Sequence, residues 1–242
     1  MRIIGFIFLG FVILFSCREK KQDASTLFRL LSDSATGIEF RNDLSYTEKV
    51  NPYTFRNFYN GAGVALGDIN NDGLTDIFFA GNQTSNALYL NEGNLKFKNI
   101  TDQAGLTSSG YWSTGVSMAD VNGDGLLDIY VCKSGPPGGD KRHNELFINL
   151  GNGKFQEKSK EFGLAEEGLS QHAVFFDYDK DGDLDMYLLS NSGRSVGLFD
   201  PDEYDSHYPA PQIRTPLVRG NTMKDMRVER DVQTETIKIE AR

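Results

Sequence analysis

With 242 residues, 39% of them hydrophobic and 12% aromatic, the chain can bury a core for one large domain or two small ones. A formal charge of −9 and a pI near 4.9, with no dense Lys/Arg cluster, exclude nucleic-acid recognition through a basic surface. Much of the acid is gathered into three short segments, where a divalent cation in each would neutralise it.

The chain opens with Arg2 and an apolar run of 13 residues from Ile3 to Phe15, which reads as an export signal. A membrane-spanning helix needs about 20 residues, so this run is too short to be one. Leu14-Phe15-Ser16-Cys17 has the pattern of a bacterial lipobox, with cleavage before Cys17 and lipidation of its thiol. An ordinary secretory signal and a short uncleaved anchor are the alternatives. On the lipoprotein reading, residues 1–16 are the signal peptide and 17–26 a polar tether. Acylation of Cys17 leaves Cys132 without a disulfide partner, and its place in the run Ile129-Tyr130-Val131-Cys132 reads as a small core residue.

From Gly63 onward the chain repeats itself. Gly63 to Asp68, Gly115 to Asp120 and His172 to Asp177 each run into an acidic segment, and the first Asp residues are 52 and then 57 positions apart. After each segment comes a short apolar run: Ile77 to Ala80, Ile129 to Cys132, and Met186 to Leu189. Runs rich in β-branched and aromatic residues, bounded by Gly, Asn and Asp, read as buried strands joined by the acidic loop. A second pair of motifs, Asn86 to Asn91 then Phe97, recurs 58 residues later as Asn144 to Asn149 then Phe155. Extra residues around Ser134 to Gly139 lengthen the second unit, as an insertion in a surface turn would. Four strands in a unit of this length predict an all-β fold of β-propeller-type blades, each of four antiparallel strands, about two and a half blades in all. Phe28 to Ile38 follows the pattern of Phe97 to Leu106 with one residue added and is expected to be a displaced outer strand.

The three loops put oxygen side chains at positions 1, 3, 5 and 9: Asp68, Asn70, Asp72 and Asp76; Asp120, Asn122, Asp124 and Asp128; Asp177, Asp179, Asp181 and Asp185. Gly at position 6 permits a sharp turn, and position 7 (Leu74, Leu126 and Asp183) can offer a backbone carbonyl. Hard oxygen ligands on a curled loop suit calcium, at about three sites, better than magnesium or a transition metal. An EF-hand would need Glu at position 12, where this chain has Phe79, Val131 and Leu188 in strand runs. Paired catalytic acids need dissimilar environments, whereas these clusters are near-equivalent, so no enzymatic role is read from them. His143, His172 and His207 lack ligand or triad spacing, and Trp112 with Tyr53 to Tyr59 reads as packing in preference to a binding face.

The loops and their flanks, above all the stretch from Phe58 to Leu74, resemble the FG-GAP/VCBS repeats. These are propeller repeats also found in integrin α-subunits, and the likeness is greatest to bacterial lipoproteins of the CRTAC1-like group. It covers residues 27–192 and leaves 193–242 as an atypical tail, so a truncated reading frame is expected. The resemblance implies calcium at the loop positions and an outer-membrane lipoprotein facing the periplasm or cell surface. It also implies a binding or adhesion role toward a protein or glycan. A scaffold portion of a polysaccharide-processing enzyme and a non-functional fragment of a longer protein are the alternatives. Two and a half blades leave a ring unclosed, and self-association through open blade edges is expected.

Overall fold

The computed structural model describes residues 27–106, 108, 112–135, 143–190, 226–230 and 237–241. The signal peptide, Cys17, the tether, His207, residues 136–142 of the insertion and residues 191–225 of the tail lie outside them. The chain divides into Met1–Leu31, whose described residues hold no strand, and Ser32–Arg242.

In the second unit the repeat becomes two complete four-stranded blades and one half-blade. Blade 1 is a meander of β1 (Val64–Gly67), β2 (Asp76–Phe79), β3 (Ala87–Asn91) and β4 (Phe97–Asn99), all antiparallel. After the helical turns α1 (Asp33–Thr36) and α2 (Thr101–Ala104), blade 2 repeats the plan with β5 (Ser113–Ala119), β6 (Asp128–Lys133), β7 (Glu145–Asn149) and β8 (Phe155–Glu157). Half-blade 3 is the hairpin of β9 (Ser170–Phe176) and β10 (Asp185–Ser190). Each acidic loop joins a blade's first two strands, as the sequence predicts. A last hairpin, β11 (Met226–Arg230) and β12 (Ile237–Ala241), includes the strand-compatible Ile237-Lys238-Ile239 and forms a two-stranded sheet of its own.

The pleat explains why the strands read as continuous apolar runs. Side chains alternate between faces, and blade 2 is covered on both. Its Val116, Ile129, Val131 and Phe147 meet Ala65, Phe78 and Leu88 of blade 1 in one core cluster. Its Tyr130, Cys132, Leu146 and Ile148 meet Ala173, Met186 and Leu188 of half-blade 3 in another. Every residue of β6 is therefore buried. Cys132 is the small core residue expected, and burial pushes its thiol pKa up.

Glycine stands just before β1, at Gly63, and inside β5, at Gly115, because the next blade leaves no room for a side chain. A Cβ on Gly63 would stand 2.7 Å from the Thr114 carbonyl oxygen, and one on Gly115 2.3 Å from that of Gln171. The Gly63 N–H donates to the Thr114 carbonyl, and Thr114 Oγ1 donates to the Ser170 carbonyl at 2.8 Å. Inner strands are thus stitched blade to blade.

The expected outer strand at Phe28 to Ile38 is corrected. The segment forms α1, capped by Ser32, whose Oγ accepts the Ala35 N–H, and closed by Gly37 in the left-handed region. The likeness to Phe97–Leu106 lies in the helical turn and its glycine, which α2 and Gly105 repeat. Beyond it, Phe40 stacks on Phe79 with ring centres 4.9 Å apart, and Asn42 bonds Asn82, so residues 38–45 lie against β2 and the turn that follows it. Trp112 packs with Phe55 and Phe58 in a small buried cluster, the packing role expected, while Tyr53 is exposed.

Candidate metal centres

The loop residues curl through one hydrogen-bond scheme. At position 1, Asp68 accepts the N–H of Asp72 at 3.1 Å and of Gly73 at 2.7 Å, and Asp120 accepts those of Asp124 at 3.0 Å and Gly125 at 2.8 Å. Asp177 does the same for Asp181 and Gly182. The position 3 oxygen of Asn70 and of Asn122 accepts the N–H of position 5. Position 5 in turn accepts the N–H of position 7: Asp72 from Leu74, Asp124 from Leu126, and Asp181 from Asp183. Side chains at positions 1, 3 and 5 therefore face one another inside the curl.

Two left-handed residues make the curl possible. Position 6 is Gly in all three loops, but position 4 is also left-handed, with φ of 58° at Asn71, 72° at Gly123 and 62° at Lys180. Sequence reasoning passed over position 4; Asn and Gly signalled it in two loops, and Lys180 gave no sign.

The position 9 aspartates do a second job. Asp76 Oδ2 accepts the Ile69 N–H at 3.0 Å and its Oδ1 the Asn91 N–H at 2.8 Å. Asp128 treats Val121 and Asn149 alike, so each carboxylate ties loop position 2 to the end of the third strand. Asp185 accepts the Tyr178 N–H, its blade having no third strand among the described residues. Burial raises the pKa of all three, against the N–H donors and with the help of neighbouring loop aspartates, and pushes Asp128 up to about 6. At Asp68 burial also pushes upward, but the N–H groups of Gly73, Asp72, Asn70 and Asn71 outweigh it and hold the carboxyl below its ordinary value.

The donor set fits a hard divalent cation. Asp177, Asp179 and Asp185 offer carboxylate oxygens within 4.8 Å of one another. In the first two loops Asn stands at position 3 and gives one neutral oxygen in place of a charged one. The residues that would hold the ion are those at positions 1, 3, 5 and 9, with the position 7 carbonyl. A bound cation would offset the crowding of like charges that each loop otherwise bears.

Two features outside the loops were not legible in the sequence. Lys133 and Glu145, both buried, form an ion pair at 3.0 Å with Ser108 alongside. Burial lowers the Lys133 pKa and Glu145 opposes that. Blade 1 also carries an open groove of about 660 Å³, lined among others by Glu39, Arg41, Asp43, Asn86, Asp102 and Gln103. In blade 2, Asn144 gives its amide to the Tyr130 hydroxyl and Ser170 Oγ, but blade 1 has Phe78 at that tyrosine's position, and the Asn86 Nδ2 has no partner. His172 lies in β9, as a strand residue would.

Residues 68–131 and 136–188 match the FG-GAP-like repeat. Cartilage acidic protein 1 of Xenopus tropicalis is 27% identical over 162 residues, 65% of this chain and 23% of that protein. The Mus musculus protein of the same name is 28% identical over 169 residues, 68% of this chain and 24% of that protein. The chain thus spans about a quarter of the length of the curated relatives it matches. The first match begins at Asp68, position 1 of the first loop, and the second ends in β10, so the hairpins of this chain are similar to FG-GAP-like repeats and to part of cartilage acidic protein 1.

Proposed function

We propose that this chain is a calcium-braced, lipid-anchored binding module on the outer membrane, facing the periplasm or cell surface, that contacts a protein or glycan. The observation that carries the calcium reading is the threefold recurrence of one loop scheme, with carboxylates at positions 1, 5 and 9 around a shared curl. Ions at these sites brace the turns from which each blade's first two strands spring. They have no catalytic task, because three near-equivalent clusters offer no division into acid and base. The anchor reading rests on Leu14 to Cys17. The groove on blade 1, with acids, an arginine and amides around a partnerless buried amide, supplies donors and acceptors for a polar ligand such as a glycan.

Thermal unfolding of the purified chain, first in EDTA and then with calcium added, tests the metal reading. A cation that binds only the folded state adds about 2.7 kcal/mol per site at a hundredfold excess over Kd. Melting temperature is expected to rise with calcium and not with equal magnesium. A curve unmoved by calcium defeats the reading.

A further inference from the structure

The two ends of the blade array leave complementary surfaces bare. On blade 1 the open face carries Val64 and Leu66, 55% and 63% exposed. Their counterparts in blade 2, 52 residues on, are Val116 and Met118, which pack against blade 1. On half-blade 3 the open face carries Val174 and Leu189, 47% and 50% exposed, with Tyr187 on the same face by register. The counterparts of these three in blade 2 are Ser117, Cys132 and Tyr130, on the face that packs against half-blade 3. Among the described residues, no blade stands against either of these two faces.

The two ends also differ in what lies against them. Among the described residues half-blade 3 holds only the two inner strands. In front of blade 1, among the described residues, lie α1 and the Phe40 ring stacked on Phe79: a Cβ on Gly37 would lie 2.6 Å from the Phe97 carbonyl oxygen, much as one on Gly105 would lie 3.3 Å from that of Phe155. So α1 sits on blade 1 as α2 sits on blade 2. Gly163, the third glycine of this series, has no atom within 4 Å of a Cβ. A missing bond marks the same gap. Asn149 gives its amide to the Ile69 carbonyl of the preceding blade at 2.8 Å, whereas Asn91, its counterpart, bonds only within its own blade.

We infer that two copies of this chain close a ring head to tail, the β9–β10 half-blade of each packing on the Val64–Leu66 face of the other, inside its partner's α1 segment. This rests on the propeller reading and names the partner for its open edges. The contact continues the two interfaces already present within the chain. Ser117 Oγ donates to the Ala173 carbonyl across the blade 2 junction, so the equivalent neighbours across the new one are Val174 and the partner's Val64. The partner's Tyr178 takes the place of Ile69 and offers its carbonyl to Asn91. Two complete blades and one two-stranded half-blade from each copy give six radial positions, within the range of about four to eight that closed propellers use. Closure removes the open faces, and the two junctions are the same heterologous contact related by a twofold axis.

The test uses the full chain carrying Cys17→Ser, saturated with calcium; Cys132 is buried and stays unreactive. Chains with Val64→Cys are mixed with chains with Val174→Cys and oxidised. A disulfide-linked dimer is expected in the mixture and in neither variant alone, and sedimentation of the Cys17→Ser chain without either cysteine should give twice the chain mass. Val174→Asp should halve that mass while the emission of the buried Trp112 stays unchanged. A monomer at micromolar concentration, a cross-link within one variant alone, or a ladder of larger species would overturn the ring. Calcium-induced stabilisation of the same samples is read separately, so a chain that binds calcium yet stays monomeric defeats the ring alone.

Discussion

Asn91 and Asn149 occupy the same repeat position, and their different surroundings allow a paired experiment. Asn149 is buried; its Nδ2 donates to the carbonyls of Ile69 at 2.8 Å and Leu127 at 3.1 Å, and its Oδ1 accepts the Gly151 N–H at 3.0 Å. Asn91 makes two of the three, to the Thr75 carbonyl and from the Gly93 N–H, and lies nearer solvent. Each bond contributes about 1 kcal/mol net, and a buried group left without a partner costs about 1–3 kcal/mol. Asn149→Ala should therefore cost roughly 3–4 kcal/mol, since the Ile69 carbonyl is stranded between blades, whereas Asn91→Ala should cost about 1 kcal/mol because water replaces the lost partners. Urea unfolding in dilute, calcium-saturated protein, followed by emission of Trp112, the single tryptophan, measures both. Equal losses, or a larger one for Asn91→Ala, would refute the claim that the Asn149 amide clamps blade 2 to blade 1.

Other consequences follow from the buried charges and the anchor. Lys133→Met removes the buried cation 3.0 Å from the Glu145 carboxylate, a loss of about 3–5 kcal/mol, and adding Glu145→Leu should recover most of it in the same urea assay. In metal-free protein the Asp128 carboxyl titrates near 6 when folded and near 4 when unfolded. The folded state then holds the extra proton, so this contribution is fully present below about pH 4 and fades as pH rises through 6, by roughly 1–2 kcal/mol after solvent screening. Calcium should oppose that decline, and Asp128→Asn should remove its share of the pH dependence from the calcium-free curve, leaving what the raised carboxyls of Asp76 and Asp185 supply. Cys17→Ser should abolish incorporation of radioactive palmitate into the chain and leave it about 16 residues longer on a blot.

The repeat made most of the fold legible. The apolar runs after each loop predicted paired strands, and burial of β6 on both faces explains why Ile129 to Cys132 does not alternate. The recurrence of oxygen side chains at loop positions 1, 3, 5 and 9 was equally plain, because the same residue types return at fixed spacing. The second role of Asp76 and Asp128 was hidden, since their partners are backbone N–H groups that carry no residue signature. The segment around Phe28 misled because its spacing matched a strand followed by a turn, and among described residues only the turn forms. Lys133 and Glu145 are 12 positions apart in strands that looked unremarkable, and only the pairing of β6 with β7 brings them together. Asn86 lost its partner to a change of Tyr to Phe at the preceding strand, visible only once the blades are superposed on their register.

The central claim is that each acidic loop holds a calcium ion, and counting ions tests it most directly. Equilibrium dialysis of the EDTA-stripped chain against radioactive calcium, at salt high enough to screen diffuse charge, should saturate near three ions per chain. Asp72→Ala, Asp124→Ala and Asp181→Ala should each lower the count by about one. The third loop, with five aspartates, should fill at the lowest calcium concentration. Saturation at no ions, or a count unchanged by the three substitutions, would contradict the account.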